Sequence, residues 1–140
     1  MRLIKQGLRQ HTHDRISLLE GDFFALNPAH LAQVAAVYDR AALIALPPAL
    51  RSAYVAHLVA ILPDTVPMLL VTMDYDQEQM AGPPFEVDDQ EVVRHYSPHY
   101  QITLLTEADL LAGPEATRWR NRGITRMTER VYYLEPLNNR

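Results

Sequence analysis

Two stretches of the chain carry apolar residues at helical spacing, and turn-forming residues bound both. The first helix is predicted within residues 46–64, where Pro63 ends the pattern. Its apolar positions are Leu50, Tyr54, Leu58 and Ile61. The second helix is predicted to begin at Asp88 or Asp89, both good N-cap residues, and to end before Pro98.

Short apolar or alternating segments predict strands at 16–20, 33–39, 68–73, 100–106 and 124–137. Because strands alternate with helices, we expect one α/β domain over residues 1–140 with a mostly parallel sheet. The last two strands lack a long helix between them and are predicted to form an antiparallel edge pair. Residues 1–14 are polar and indicate an arm or the end of a helix.

Composition narrows the classes of function. The 140 residues suit one domain, and a net charge of −4 argues against a nucleic-acid partner. The absence of cysteine excludes a disulfide framework, a thiolate metal site and a cysteine nucleophile. No apolar run approaches the roughly 18 residues of a membrane span, and the N-terminus lacks the apolar core of a signal peptide. A cytoplasmic location is therefore expected.

An acid–base pair, Asp39-Arg40, interrupts an otherwise apolar region where the predicted strand 33–39 ends. Asp22 and the acidic segment 74–76 also follow predicted strands. In open α/β sheets the ligand crevice lies outside the carboxyl ends of the strands. The pattern favours one polar rim around a site, and a solvated turn is the alternative for the pair.

Three other motifs have both a binding and a structural interpretation. Asp22 can accept a hydrogen bond from an adenine amino group while Phe23 lies on the ring, or the two can be a turn residue and a core residue. The stiff loop 80–85, which includes Pro84, suits a flat substrate or is a rigid connection. The segment 118–123 places three arginines beside a tryptophan, and one of them can meet an anion unless the loop is merely solvated.

Several signatures are missing. The glycines are scattered, so the sequence contains neither GxGxxG nor a P-loop, and no serine sits in a GxSxG turn. The pairs His11/His13 and His95/His99 have no ligand pattern, so no metal site is expected. The predicted sheet resembles half of a doubly wound domain, and we expect the chain to be truncated at its N-terminus.

Four segments together resemble the thiopurine S-methyltransferase family, particularly its bacterial members. They are GDFFAL, VYDRAALIALPPALRSAYVAHL, YDQEQMAGPPFEV and RGITRMTERVYYL, and the order and spacing match from about Ile16 onward. The resemblance implies a Rossmann-like α/β fold that binds S-adenosylmethionine (S-adenosyl-L-methionine). The family's N-terminal tryptophan arm, glycine turn and ribose-binding acid have no counterpart in this sequence.

The resemblance also implies roles for particular residues. Arg40, Asp22 and Phe23 correspond to cofactor contacts, and Arg118 falls where the family has an arginine close to the substrate. Arg120 and Arg122 lie close enough in sequence to be alternatives to Arg118. Arg40 is also expected to contact the substrate, as is Pro84 of the stiff loop. No catalytic residue is assigned, because a thiol that ionises easily needs little help from a general base.

The resulting prediction is an enzyme that moves a methyl group from S-adenosylmethionine to the sulfur of a thiopurine-like or other small thiol. Selenium and tellurium compounds are further candidate acceptors. The alternative is a non-catalytic remnant, or a half-domain that needs a missing N-terminal segment to bind cofactor. Such a half-domain exposes a sheet edge, so self-association through that edge is expected, and an interaction protein is a third alternative.

Overall fold

The computed structural model describes residues 2–5 and 7–137, which form two separate β-sheets, three α-helices and several short 3-10 turns. Three strands, β1 (Arg2–Lys5), β2 (Leu8–His13) and β3 (Ile16–Glu20), form an antiparallel sheet in the order β1-β2-β3. The predicted arm over residues 1–14 is therefore wrong for the part that the structure describes; residues 1 and 6 lie outside it. β3 was predicted correctly as a strand, but it does not join the second sheet.

The second sheet is mixed and has the order β4-β5-β7-β6. Its strands are β4 (Val37–Asp39), β5 (Met68–Tyr75), β6 (Tyr100–Asp109) and β7 (Met127–Pro136). β4 pairs with β5 in parallel, whereas β7 is antiparallel to both β5 and β6. The antiparallel edge pair is confirmed. The expectation of a mostly parallel sheet is corrected, because β7 inserts between two strands that share one direction.

Both predicted helices are present, and a short third helix follows β6. They are α1 (Pro48–Ile61), α2 (Asp89–Tyr96) and α3 (Ala116–Arg120). The Asp88 side chain caps α2 by accepting a hydrogen bond from the Glu91 amide. No helix in the described part of the chain is long and apolar enough to cross a membrane.

The main core joins α1 and α2 to one face of the second sheet. Leu70 of β5 and its register partner Tyr132 of β7 are both fully buried there, together with Val92 of α2. A smaller cluster lies beyond the carboxyl end of β5 and holds α3; its buried members are Tyr75, Met80, Trp119, Ile124 and Met127. The sheet and both clusters therefore fix the position of the loops that follow β4 and β5.

Candidate functional site

Asp39 and Arg40, at the carboxyl end of β4, lie in different environments. Asp39 is only 3% exposed, and its Oδ1 accepts hydrogen bonds from the amides of Ala42 (3.1 Å) and Leu43 (3.2 Å). Its Oδ2 accepts one from the Tyr54 hydroxyl at 2.6 Å. Arg40 is exposed. The acid therefore organises the loop that follows β4, while the base is free to face a ligand.

Tyr54 of α1 is central to this arrangement. Burial, and then the nearby Asp39 carboxylate, raise the pKa of the Tyr54 hydroxyl well above its usual range. The Phe23 ring packs against the same side chain, with the ring centroids 4.9 Å apart. Tyr54 was expected only as one of the apolar positions of its helix. The structure makes it the contact that joins the segment after β3 to the loop after β4.

Asp22 and Phe23 lie beside this contact. The Oδ1 of Asp22 accepts a hydrogen bond from the Phe24 amide at 2.9 Å and so begins a short 3-10 turn, Phe23–Ala25. Phe23 is half-buried against α1, and its ring is 5.3 Å from that of His57. The structure thus brings Asp22 and Phe23 close to the β4 loop, although β3 belongs to the other sheet.

Two small cavities flank the 3-10 turn Leu43–Ala45. The first, called here the proline cavity, has a volume of about 270 Å³ and is lined by Ala41, Ile44, Ala45, Pro83 and Pro84. The second, called here the aromatic cavity, is also about 270 Å³ and is lined by Phe23, Phe24, Ala42, Ala45, Leu46, Leu50 and Tyr54. Because Ala45 lines both cavities, they are neighbours at one turn.

Two hydrogen bonds fix the stiff loop that contributes Pro83 and Pro84. The Tyr75 hydroxyl at the end of β5 donates to the Pro84 carbonyl at 2.6 Å. The Phe85 amide donates to the Ile44 carbonyl, also at 2.6 Å. The first bond places the loop at the carboxyl end of β5, and the second joins it to the loop after β4. The proline cavity therefore lies between the segments that follow two parallel strands, β4 and β5.

An ionisable group follows this loop directly. The pKa of the Glu86 carboxyl is raised to about 7, chiefly because burial disfavours its charged form and secondly because Asp88 and Asp74 lie near it. No pattern in the sequence indicated this group, since its environment depends on contacts between distant segments. Glu86 is therefore a carboxyl group that changes charge near neutral pH, two residues from a wall of the proline cavity.

Asp74 belongs to the acidic segment 74–76, which was predicted to line the rim. Its carboxylate accepts hydrogen bonds from Arg130 at 2.7 Å and from Arg126 at 3.4 Å. Asp76 caps the 3-10 turn Gln77–Gln79 through the Glu78 amide. Both acids thus stabilise the protein's own structure.

The three arginines around Trp119 each make a different set of contacts. Arg118 is exposed, stacks over the Trp119 ring at 4.7 Å and lies 3.8 Å from the Glu115 carboxylate. Arg120 donates to the Leu111 carbonyl. Arg122 lies 5.9 Å from the Trp119 ring and lowers the pKa of Tyr75, which burial raises overall.

Arg122 therefore lies near Tyr75, the residue whose hydroxyl holds Pro84. Neither Arg118 nor Arg122 is among the residues that line the proline cavity. The assignment of Arg118 to the substrate thus stays a prediction, as do those of Arg40 and Pro84.

The surface also holds a cavity apart from the candidate site. A larger cavity of about 410 Å³ lies at the opposite end of the second sheet, lined by Asp64, Thr65, Pro67, Tyr133, Glu135, Pro136 and Leu137. None of the predicted site residues lines it. Across residues 2–5 and 7–137, no group of three or more His, Asp or Glu side chains is placed to hold a metal ion.

The fold and these cavities define an α/β protein with small-molecule-sized hollows beyond the ends of its parallel strands. The family model for thiopurine S-methyltransferase (TPMT) matches residues 3–136. The chain belongs to the thiopurine S-methyltransferase family.

Individual relatives agree with the family match. The chain is 49% identical to a thiopurine S-methyltransferase of Pseudomonas aeruginosa (strain UCBPP-PA14), over 92% of this chain and 58% of the relative. It is 46% identical to one of Methylococcus capsulatus, over 85% of this chain and 53% of the relative. A relative from Azotobacter vinelandii is 51% identical, over 86% of this chain and 56% of the relative. The chain therefore spans little more than half the length of these relatives.

Proposed function

We propose that this chain forms the cofactor- and substrate-facing part of an S-methyltransferase with a Rossmann-like fold. The methyl donor is S-adenosylmethionine, and the acceptor is the sulfur of a thiopurine-like or other small thiol, or a selenium or tellurium compound. The observation that carries this proposal is the pair of cavities that flank one turn beside the exposed Arg40. Family membership supports the class of reaction.

The residues around the aromatic cavity fit the adenosyl end of this cofactor. Phe23 offers a half-buried ring beside an apolar hollow, and the second carboxylate oxygen of Asp22 can accept from an amino group. Arg40 adds positive charge at the end of β4, where the cofactor's carboxylate or an anionic acceptor would be stabilised. In this proposal Asp22, Phe23 and Arg40 hold the cofactor, which supplies an electrophilic methyl group on a sulfonium.

The acceptor is assigned to the proline cavity. Its walls are apolar and include Pro84, so a flat ring with a reactive sulfur can pack against them. Positive charge on Arg40 and Arg118 lowers the pKa of a nearby thiol and favours the thiolate. The protein's task is then to align the nucleophile with the methyl group and exclude water, and no side chain has to remove a proton during transfer.

A half-domain is the second candidate function. The chain spans 53–58% of the relatives named above, and β4 has no strand partner on its outer side among the described residues. An open edge of this kind can pair with another strand, from a second copy or from another segment. Under this alternative the chain self-associates and binds the cofactor only when its edge is covered.

The partners follow from the same proposal. A small thiol in the cytoplasm is the expected substrate, and the net charge of −4 does not favour a nucleic-acid partner. The test is a methyl-transfer assay with labelled S-adenosylmethionine and a thiopurine, with the mass of the chain measured by light scattering. Label on the thiopurine sulfur supports the enzyme, whereas a folded chain that transfers nothing and dimerises supports the half-domain.

A further inference from the structure

A charged side chain is buried between the two loops that form the candidate site. Arg51 of α1 is only 1% exposed, and none of the roles proposed above uses it. Its Nε donates to the Leu46 carbonyl at 3.1 Å, and its Nη1 lies 2.8 Å and 3.0 Å from the two carboxylate oxygens of Glu91 in α2. The guanidinium carbon is 5.9 Å from the centre of the Phe85 ring.

These contacts reach three segments at once. Leu46 ends the segment that follows β4 and lines the aromatic cavity. Phe85 directly follows Pro84 of the proline cavity, and Glu91 lies in α2. One side chain thus joins both cavities to a helix of the main core. We call Arg51 and Glu91 the arginine clamp.

Stability alone does not account for the arginine clamp. A buried ion pair recovers through mutual attraction roughly what its two charges lose in hydration, and well-packed apolar residues are often as stable or more so. Moreover, the Nη2 of Arg51 is buried without a hydrogen-bond partner among the described residues, which is itself unfavourable. The pair instead fixes the relative orientation of the groups it joins, because a guanidinium holds its hydrogen-bond partners in a fixed planar geometry.

A third residue orients the acid of the clamp. The Nε2 of His95 lies 3.0 Å from the Glu91 Oε2, one helical turn along α2, and its side chain is 7% exposed. Among the described residues, one backbone hydrogen bond joins the two loops directly, from the Phe85 amide to the Ile44 carbonyl. The side-chain contacts of the clamp therefore reinforce this junction.

We infer that Arg51 is a positioning residue: through Glu91, Leu46 and Phe85 it holds the loop after β4 and the proline loop at the spacing that shapes both cavities. The inference rests on the proposed function for its significance in catalysis. Its structural content, that the two loops depend on this side chain, can be tested without any ligand.

The test compares hydrogen exchange of backbone amides in the wild type and in three variants. Arg51→Met leaves the Glu91 carboxylate with His95 as its remaining side-chain partner and is expected to lower the melting temperature. Arg51→Met/Glu91→Met removes both charges and is expected to recover most of that loss. Even so, the amides of residues 45, 46 and 85 should exchange about tenfold faster than in the wild type. The amides of the β5–β7 ladder should keep their protection.

Arg51→Lys keeps the test decisive if the methionine variants do not fold. Lysine keeps the charge but cannot serve both Glu91 and the Leu46 carbonyl with one planar group, so the same three amides should exchange faster. Glu107→Gln is the control, since it removes an exposed ion pair with Arg130 that includes no residue of either loop. Unchanged protection of these amides in every variant that folds would overturn the inference.

A cofactor measurement separates this inference from the proposed function. If the wild type binds S-adenosylhomocysteine, the double variant should bind it about tenfold more weakly at a similar melting temperature. Equal affinity there would contradict the positioning role. A wild type that binds nothing, with the expected change in exchange, would refute the proposed function of the chain and leave the clamp supported.

Discussion

Tyr54→Phe is the sharpest test of how the β4 loop is held. The substitution removes one hydroxyl, whose 2.6 Å hydrogen bond to the Asp39 carboxylate is buried. A hydrogen bond to a charged group contributes about 1.5–3 kcal/mol, and the remaining carboxylate oxygen would stay desolvated. We therefore expect the free energy of unfolding to fall by about 2 kcal/mol. For a domain of this size that corresponds to a drop of roughly 5–10 °C in melting temperature.

The measurement is thermal and urea unfolding followed by circular dichroism. Tyr38→Phe is the matched control, because Tyr38 is 64% exposed and should lose almost nothing. The folded-state pKa of Tyr54 is raised above its ordinary 10.0, so the stability it contributes is complete below pH 10 and declines in more alkaline solution. The variant should therefore approach the wild type above that pH. A loss within about 0.5 kcal/mol at neutral pH would refute the reasoning.

Two further variants test the electrostatics and the core. Glu86→Gln should stabilise the protein at pH 8, because the folded-state pKa of about 7 lies above the ordinary 4.5 and the charged form is disfavoured on folding. The gain in stability of Glu86→Gln over the wild type should shrink as the pH falls from 7 to 4.5. Glu78→Gln is the control, because Glu78 is exposed. A gain in stability that does not change with pH would contradict the explanation from the raised pKa of Glu86. Leu70→Ala removes a side chain with 0% exposure and should cost about 2–5 kcal/mol in urea unfolding, whereas Val93→Ala on the exposed side of α2 should cost far less. Similar losses for the two would show that the main core is misassigned.

Elements with a strong local pattern were predictable. The apolar spacing and bounding prolines indicated α1, and Asp88 correctly indicated the start of α2. The continuous apolar run at 68–73 falls within β5. In each case, neighbouring residues in the sequence carry the information.

The pairing of the strands was harder to predict from the sequence. β2 has a polar sequence, LRQHTH, and its strand conformation comes from pairing with both neighbours. The insertion of β7 between β5 and β6 likewise depends on long-range contacts that no local pattern encodes. For this reason β3 was recognised as a strand but assigned to the wrong sheet.

The sequence likewise predicted some features of the candidate site and missed others. The sequence located the loop after β4 and the proline loop, and the structure brings them together. It did not indicate that Asp39 is buried and bonded to Tyr54, or that Arg51 lies within a protein core. A charged residue inside an amphipathic helix is usually a solvated position, and only its contacts show otherwise.

Titration of the purified chain with S-adenosylhomocysteine by calorimetry shows directly whether the chain binds the cofactor. We expect one-to-one binding to the wild type, clear weakening in Arg40→Ala and little change in Arg94→Ala, an exposed arginine on α2. A folded wild-type chain that binds no cofactor would contradict the proposed enzyme and favour the half-domain. Binding that is equally strong in Arg40→Ala would contradict the role given to the end of β4.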